Sequence, residues 1–151
     1  MNIEDANSKY NYLKINNRLV FVDDNNKVLF GGLLYNIKPT YSDINTFYFE
    51  NMLGLFNDKI LYQDRNFVNI SIDTIMQDIL SEVNGREQTY ITLDCGIEDT
   101  TSKEFDRNDK VYSVFKELLD NKYEFTIMPV LEATTVSFVL SVKDSIGIDR
   151  T

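Results

Sequence analysis

The sequence predicts an α+β fold: an antiparallel, β-barrel-like N-terminal portion, then an α/β portion with two amphipathic helices and a C-terminal hairpin. Three observations lead there. The first third alternates β-rich runs with turns of Asn and Asp. Two later segments space their apolar residues at i, i+3, i+4 and i+7, the period of a helix with one buried face. The closing segments return to strict alternation, the period of a half-buried strand. These periods make residues 1–69 mostly β and residues 70–151 α/β, with helices at about 71–84 and 109–121.

Taken in order, Tyr12-Leu13-Lys14-Ile15 reads as a strand, Asn16-Asn17 as its turn, and Arg18-Leu19-Val20-Phe21-Val22 as the next strand. Asp23-Asp24-Asn25-Asn26 is then a hairpin loop between Val22 and Val28, because Asn and Asp tolerate left-handed backbone angles and hydrogen-bond their own turns. A calcium loop is the competing reading, and it fails because Lys27 stands where an oxygen ligand is needed. Residues 27–38 form one long β segment ending at Pro39, with Gly31-Gly32 marking a bulge or a bend where another backbone comes close. Those glycines lack the spacing of a phosphate-binding loop, and no helix follows them. Thr46 to Glu50 is a further strand, Met52 to Phe56 an apolar turn, and Lys59 to Tyr62 extended.

The period then changes. Ile72, Ile75, Met76, Ile79, Leu80 and Val83 form one helical stripe, opened by Ser71 as N-cap and closed by Asn84-Gly85. A strand follows from Tyr90 to Cys95, and a polar loop from Glu98 to Asp109. The second helix repeats the stripe with Val111, Val114, Phe115, Leu118 and Leu119, capped by Asn108 or Asp109. Tyr123 to Met128 is a strand, Pro129 to Ala133 a turn, and Thr134 to Val142 the returning strand, so the second helix lies across a two-stranded ribbon. Gly147 to Thr151 reads as a frayed end.

Composition excludes whole classes of chemistry. Among 151 residues there are 24 acidic and 15 basic side chains, a formal charge of −9, one Cys, no His and no Trp. Without histidine there is no Ser-His or Cys-His pair and no imidazole metal site. One cysteine allows neither an intrachain disulfide nor a Cys-rich metal centre. The negative charge opposes a phosphate backbone, which excludes nucleic acid as a partner. No apolar run reaches the roughly 18 residues that span a bilayer, and the first residues lack a signal-peptide pattern, so the expectation is synthesis in a cytoplasm without membrane insertion. A content of 43% hydrophobic and 13% aromatic residues is enough for a packed core.

The residues that could carry chemistry each have a plainer reading. Cys95 lies beside Asp94, whose charge raises a thiol pKa, and it reads as a small buried hydrophobe instead of a nucleophile. Glu98-Asp99 and Glu104-Asp106 could pair as a glycosidase does, but they lie in a polar stretch and no Trp platform accompanies them. Tyr35, Phe47, Tyr48 and Phe49 are the candidate interaction surface, with core packing as the alternative for part of them. The residues therefore predict no catalytic, metal or cofactor-binding site, and a protein that is not an enzyme.

Four segments in order also resemble a known family. They are Val28 to Ile37 around Gly31-Gly32; Phe47 to Ile60, with Leu55-Phe56-Asn57-Asp58-Lys59-Ile60 at its end; Ser71 to Leu80; and Lys110 to Leu119 followed by Tyr123-Glu124-Phe125. Together they are similar to the tail-hub, or baseplate-hub, proteins of long-tailed bacteriophages, over roughly residues 12 to 142. In that family an "aromatic, Gly, x, Ile" barrel strand, a "Leu-Leu-x-x-Arg-x-Ile" run and two short apolar helices follow in the same order. The resemblance implies a structural subunit of a tail tip or phage-derived tail-like particle, located in the virion tail. It also implies assembly with itself, as a trimer, and with other tail proteins. The alternative is a small ligand- or carbohydrate-binding adaptor module using its exposed tyrosines.

Overall fold

The computed structural model describes residues 2–4, 14–15, 17–39, 44–87, 89–133 and 135–144. The fold is α+β, and the chain divides into two compact units, residues 1–54 and 55–151.

The first unit is a four-stranded antiparallel sheet of β1 (Asn2–Glu4), β2 (Arg18–Val22), β3 (Val28–Pro39) and β4 (Ile44–Asn51), in the order β1-β4-β3-β2. Among the described residues the sheet is open, where the sequence suggests a barrel; four strands are too few to close on a filled interior. Asp23 turns the β2–β3 hairpin as expected: its Oδ1 accepts from the backbone N–H of Asn25 at 2.9 Å and of Lys27 at 2.8 Å. The register shifts lie at Leu29 and Tyr35 and not at Gly31-Gly32. Gly32 instead marks a close approach. A Cβ there would fall 2.2 Å from the Glu50 carbonyl oxygen and 2.7 Å from the Phe30 ring. The predicted strand at 12–15 is not realised at its end, because Ile15 sits in a turn closed by Asn17 N–H to Lys14 C=O; Tyr12 and Leu13 lie outside the described residues.

A one-turn helix, α1 (Gly54–Asn57), precedes a two-stranded ribbon of β5 (Arg65–Ser71) and β7 (Thr100–Phe105). Because β5 pairs with β7, it belongs to the second unit, and the contact boundary falls at 54/55, ahead of the expected 69/70. β7 replaces the polar loop expected over 98–109. Its inward positions are Thr101, Lys103 and Phe105, and a single fully apolar residue among them hides the alternation. Residues 59–61, expected to be extended, form a short antiparallel ladder with 108–111: Asn108 N–H donates to Leu61 C=O, Leu61 N–H to Asp109 C=O, and Val111 N–H to Lys59 C=O.

α2 (Ile72–Glu87) buries all six residues of its predicted stripe, each 6% exposed or less. Ser71 caps it, its Oγ accepting from Thr74 N–H. The helix runs through Asn84-Gly85, because the Asn84 amide is engaged by the following strand and does not turn the chain. α3 (Val111–Leu119) buries its own stripe, but neither Asn108 nor Asp109 caps it; Lys110 occupies the N-cap position without a side-chain bond, and Asp109 Oδ2 accepts from Asp106 N–H.

Beneath these helices β6 (Ile91–Asp94), β9 (Thr135–Asp144) and β8 (Tyr123–Glu132) form a three-stranded sheet in the order β6-β9-β8, with β6 parallel to β9. The expected two-stranded ribbon thus gains a third strand. β8 also continues through Pro129 to Glu132, where a turn over 129–133 is expected; Pro is tolerated on an edge strand, where its missing donor can face away from the ladder. Phe115 ties the core together, meeting Phe56 edge-on at 5.3 Å and Phe125 at 6.1 Å between ring centroids. The predicted fray at 147–151 lies outside the described residues.

Two glycines separate close approach from open space. Gly32→Ala should cost about 1–3 kcal/mol in a urea melt, since the added methyl meets backbone. Gly85→Ala, with nothing within 4 Å, should stabilise by about 0.5–1 kcal/mol as a helix-interior exchange.

Candidate interaction surface

Successive residues of β4 point to opposite faces of the sheet, and this splits the predicted aromatic group. Tyr48 is exposed (37%), whereas Phe47 on the other face is 4% exposed and Phe49 is half-buried. Tyr35 is the residue left over in the register shift between Leu34 and Asn36, and it is 48% exposed. Its ring meets that of Tyr48 at 6.1 Å, tilted by 54°. A bulge of this kind re-aims a side chain, here bringing two tyrosines from neighbouring strands together at the surface.

The opposite face holds Phe21, Phe30 and Phe49. Phe21 lies 6.1 Å from Phe30 and 5.1 Å, edge-on, from Phe49. Phe30 leans over the bare backbone of Gly32. Around the same hairpin Val22, Leu29 and Phe30 stay exposed, Leu29 most of all at 64%. Sequence reasoning misses these three; their signal is the Asp- and Asn-rich loop, which carries its flanking apolar residues to the end of the hairpin.

The second unit has its own polar cluster, centred on Glu82 of α2. Arg65 of β5 donates to Glu82 and pairs with Asp78 at 3.1 Å. Tyr62 N–H donates to Glu82 Oε1 at 3.1 Å. Arg86 lies 3.7 Å from the same carboxylate, donates to Ile60 C=O, and stacks 3.5 Å from the centre of the Tyr62 ring. Burial alone would push the Glu82 carboxyl up, but the hydrogen bonds from Arg65 and the Tyr62 amide, with the charges of Arg65 and Arg86, hold it below its ordinary range. The cluster pins β5 and the 60–62 segment to α2.

The remaining candidates have structural roles. Cys95 is free and half-buried; burial raises its thiol pKa, and the charges of Asp73 and Asp94 add to this against a hydrogen bond to the Ile97 backbone. It lines a shallow polar depression of about 300 Å³ together with Asp99, Tyr123 and Lys143. Asp99 is occupied by Lys122 and by the Tyr123 hydroxyl at 3.0 Å, which hold its carboxyl low. Glu104 accepts from Asn66 Nδ2 at 3.0 Å. Among the described residues no three His, Cys, Asp or Glu side chains are grouped to hold a metal ion, and no helix is long and apolar enough to cross a membrane.

No protein-family model matches the sequence, and no curated protein matches it. The fold does have relatives among solved structures. The E. coli c3393 protein, a component of the type VI secretion system with structural similarity to the T4 bacteriophage tail proteins gp27 and gp5, superposes with a TM-score of 0.60 at 11% identity, over 93% of this chain. This is a tail-protein fold. A tail protein from Neisseria meningitidis MC58 superposes with a TM-score of 0.50 at 10% identity over 76% of the chain. The chain spans 40% of the first protein's length and 34% of the second's, so the tail-protein fold seen here corresponds to a part of each.

The Glu82 cluster sets a pH dependence. A carboxyl held low in the folded state contributes stability above the unfolded value of about 4.3, and that contribution disappears as pH falls through the folded value. Glu82→Gln should therefore lower stability at neutral pH, with the deficit closing on acidification below about pH 4. Denaturant melts across that range check it; a deficit independent of pH would count against the cluster.

Proposed function

We propose that this chain is a non-enzymatic structural component of a phage tail tip or baseplate hub, or of a phage-derived tail-like particle, assembling with itself and with other tail proteins. The supporting observation is the superposition of 93% of the chain on a component of the type VI secretion system that itself resembles T4 tail proteins. The order of the four hub-like segments points the same way. Its location is then the tail of a virion or tail-like particle, after synthesis in the bacterial host cytoplasm, and a trimeric ring is the expected assembly.

The exposed pair Tyr35 and Tyr48 is the proposed contact surface, since paired tyrosines offer large area at low entropic cost. The same pair favours, as a second reading, a module that stacks a carbohydrate on its tyrosines. Co-expression with the neighbouring tail proteins, followed by affinity capture and light scattering, tests the first reading. The expected result is a complex of defined mass; a strict monomer that captures no tail protein would sink it. Tyr35→Ala and Tyr48→Ala should each weaken capture by about 1–2 kcal/mol without lowering the melting temperature. Phe47→Ala, in contrast, should cost about 3–5 kcal/mol of stability. Binding on a glycan array lost with Tyr48→Ala, beside unchanged capture of tail proteins, would favour the second reading.

A further inference from the structure

The three-stranded sheet of the second unit has β6 at one edge and β8 at the other. An edge strand offers unpaired N–H and C=O groups to any extended chain that meets it, and proteins blunt such edges with short strands, proline or covering groups. Each of these two edges carries a device of that sort.

On β6, only four residues long, both backbone groups of Ile91 are taken by one side chain. Asn84 Nδ2 donates to the Ile91 carbonyl at 2.7 Å, and the Ile91 N–H donates to Asn84 Oδ1 at 3.0 Å. The Thr89 hydroxyl donates to the same Oδ1 and fixes the amide. An amide placed this way presents one donor and one acceptor, as a residue of an adjacent strand would.

On β8 the register decides which backbone groups face outward. Glu132 and Thr135 are the Cα partners that close the hairpin, and partners only three apart in sequence are a hydrogen-bonded pair, since the other kind of pair would need a bond between two adjacent residues. The ladder back to Tyr123 is unbroken, so even-numbered residues of β8 bond to β9 and odd-numbered residues face outward. Pro129 occupies an outward position, and it has no N–H to give.

We propose that Asn84 and Pro129 close the two edges of the β6-β9-β8 sheet, so that it is not lengthened by a strand from a second copy of this chain. Hydrogen bonds and register place both devices, whatever larger particle the chain belongs to. Pro129→Val restores the missing donor in a residue suited to a strand. Sedimentation of the full chain should show this variant self-associating at a concentration about tenfold below that of the wild type, because a two-fold edge pairing gains two hydrogen bonds. Asn84→Ala should shift association the same way and speed hydrogen exchange at the Ile91 amide. An association curve for Pro129→Val that matches the wild type overturns the role of Pro129. A deprotected Ile91 amide with unchanged association overturns the role of Asn84. Where Asn84→Ala does not fold, Asn84→Leu, which keeps the bulk of the side chain and removes both bonds to Ile91, is read by the same two measurements.

Discussion

Six apolar side chains on one face of α2, from Ile72 to Val83, must leave water together, and the second unit is arranged around that requirement. Each is worth about 1.5–3 kcal/mol when buried, against about 1 kcal/mol for a typical hydrogen bond, so the stripe decides where the helix lies and the polar contacts adjust to it. The surface that receives it is built from β5, β6 and α3, elements separate in sequence. A two-stranded hairpin alone would be a narrow support. The third strand, β6, widens the sheet, and Asn84 ties that strand to the helix it helps to cover.

The Glu82 cluster contributes more to alignment than to net stability. Its charged groups are 13–19% exposed on Arg65, Glu82 and Arg86, so their desolvation offsets much of their attraction. Among the described residues the Nε groups of both arginines are buried without an acceptor, a further cost. What the cluster does supply is direction. Arg65 fixes β5, the Tyr62 amide fixes the approach to it, and Arg86 holds the Ile60 carbonyl, all against one carboxylate on α2.

Legibility in the sequence followed the amount of apolar signal. Both helical stripes were readable because every position carries an aliphatic or aromatic residue, as were β2, β4 and the Asp23 loop, whose turn chemistry is local. β7 was not, because Thr101 and Lys103 fill inward positions that a hydrophobic pattern would mark. The stop at Asn84-Gly85 misled for a different reason: the pair is a C-cap by local chemistry, yet a long-range bond to Ile91 recruits the amide. Pro129 misled likewise, since whether a proline breaks a strand depends on being at a sheet edge. In the aromatic group, alternation along β4 separates Tyr48 from Phe47, but the meeting of Tyr48 with Tyr35 depends on a register shift that no residue type announces.

The parallel pairing of Ile91 with Phe138 has a consequence for synthesis. Chains emerge from the ribosome N-terminus first, and sheets joined by distant partners close late. α2 and β6 are made well before β9, so a nascent chain carries the helix stripe without the sheet that completes its cover. Until the last strand arrives, the half-made unit is a sticky surface that a chaperone can hold, and a premature stop ahead of β9 yields a product without that sheet.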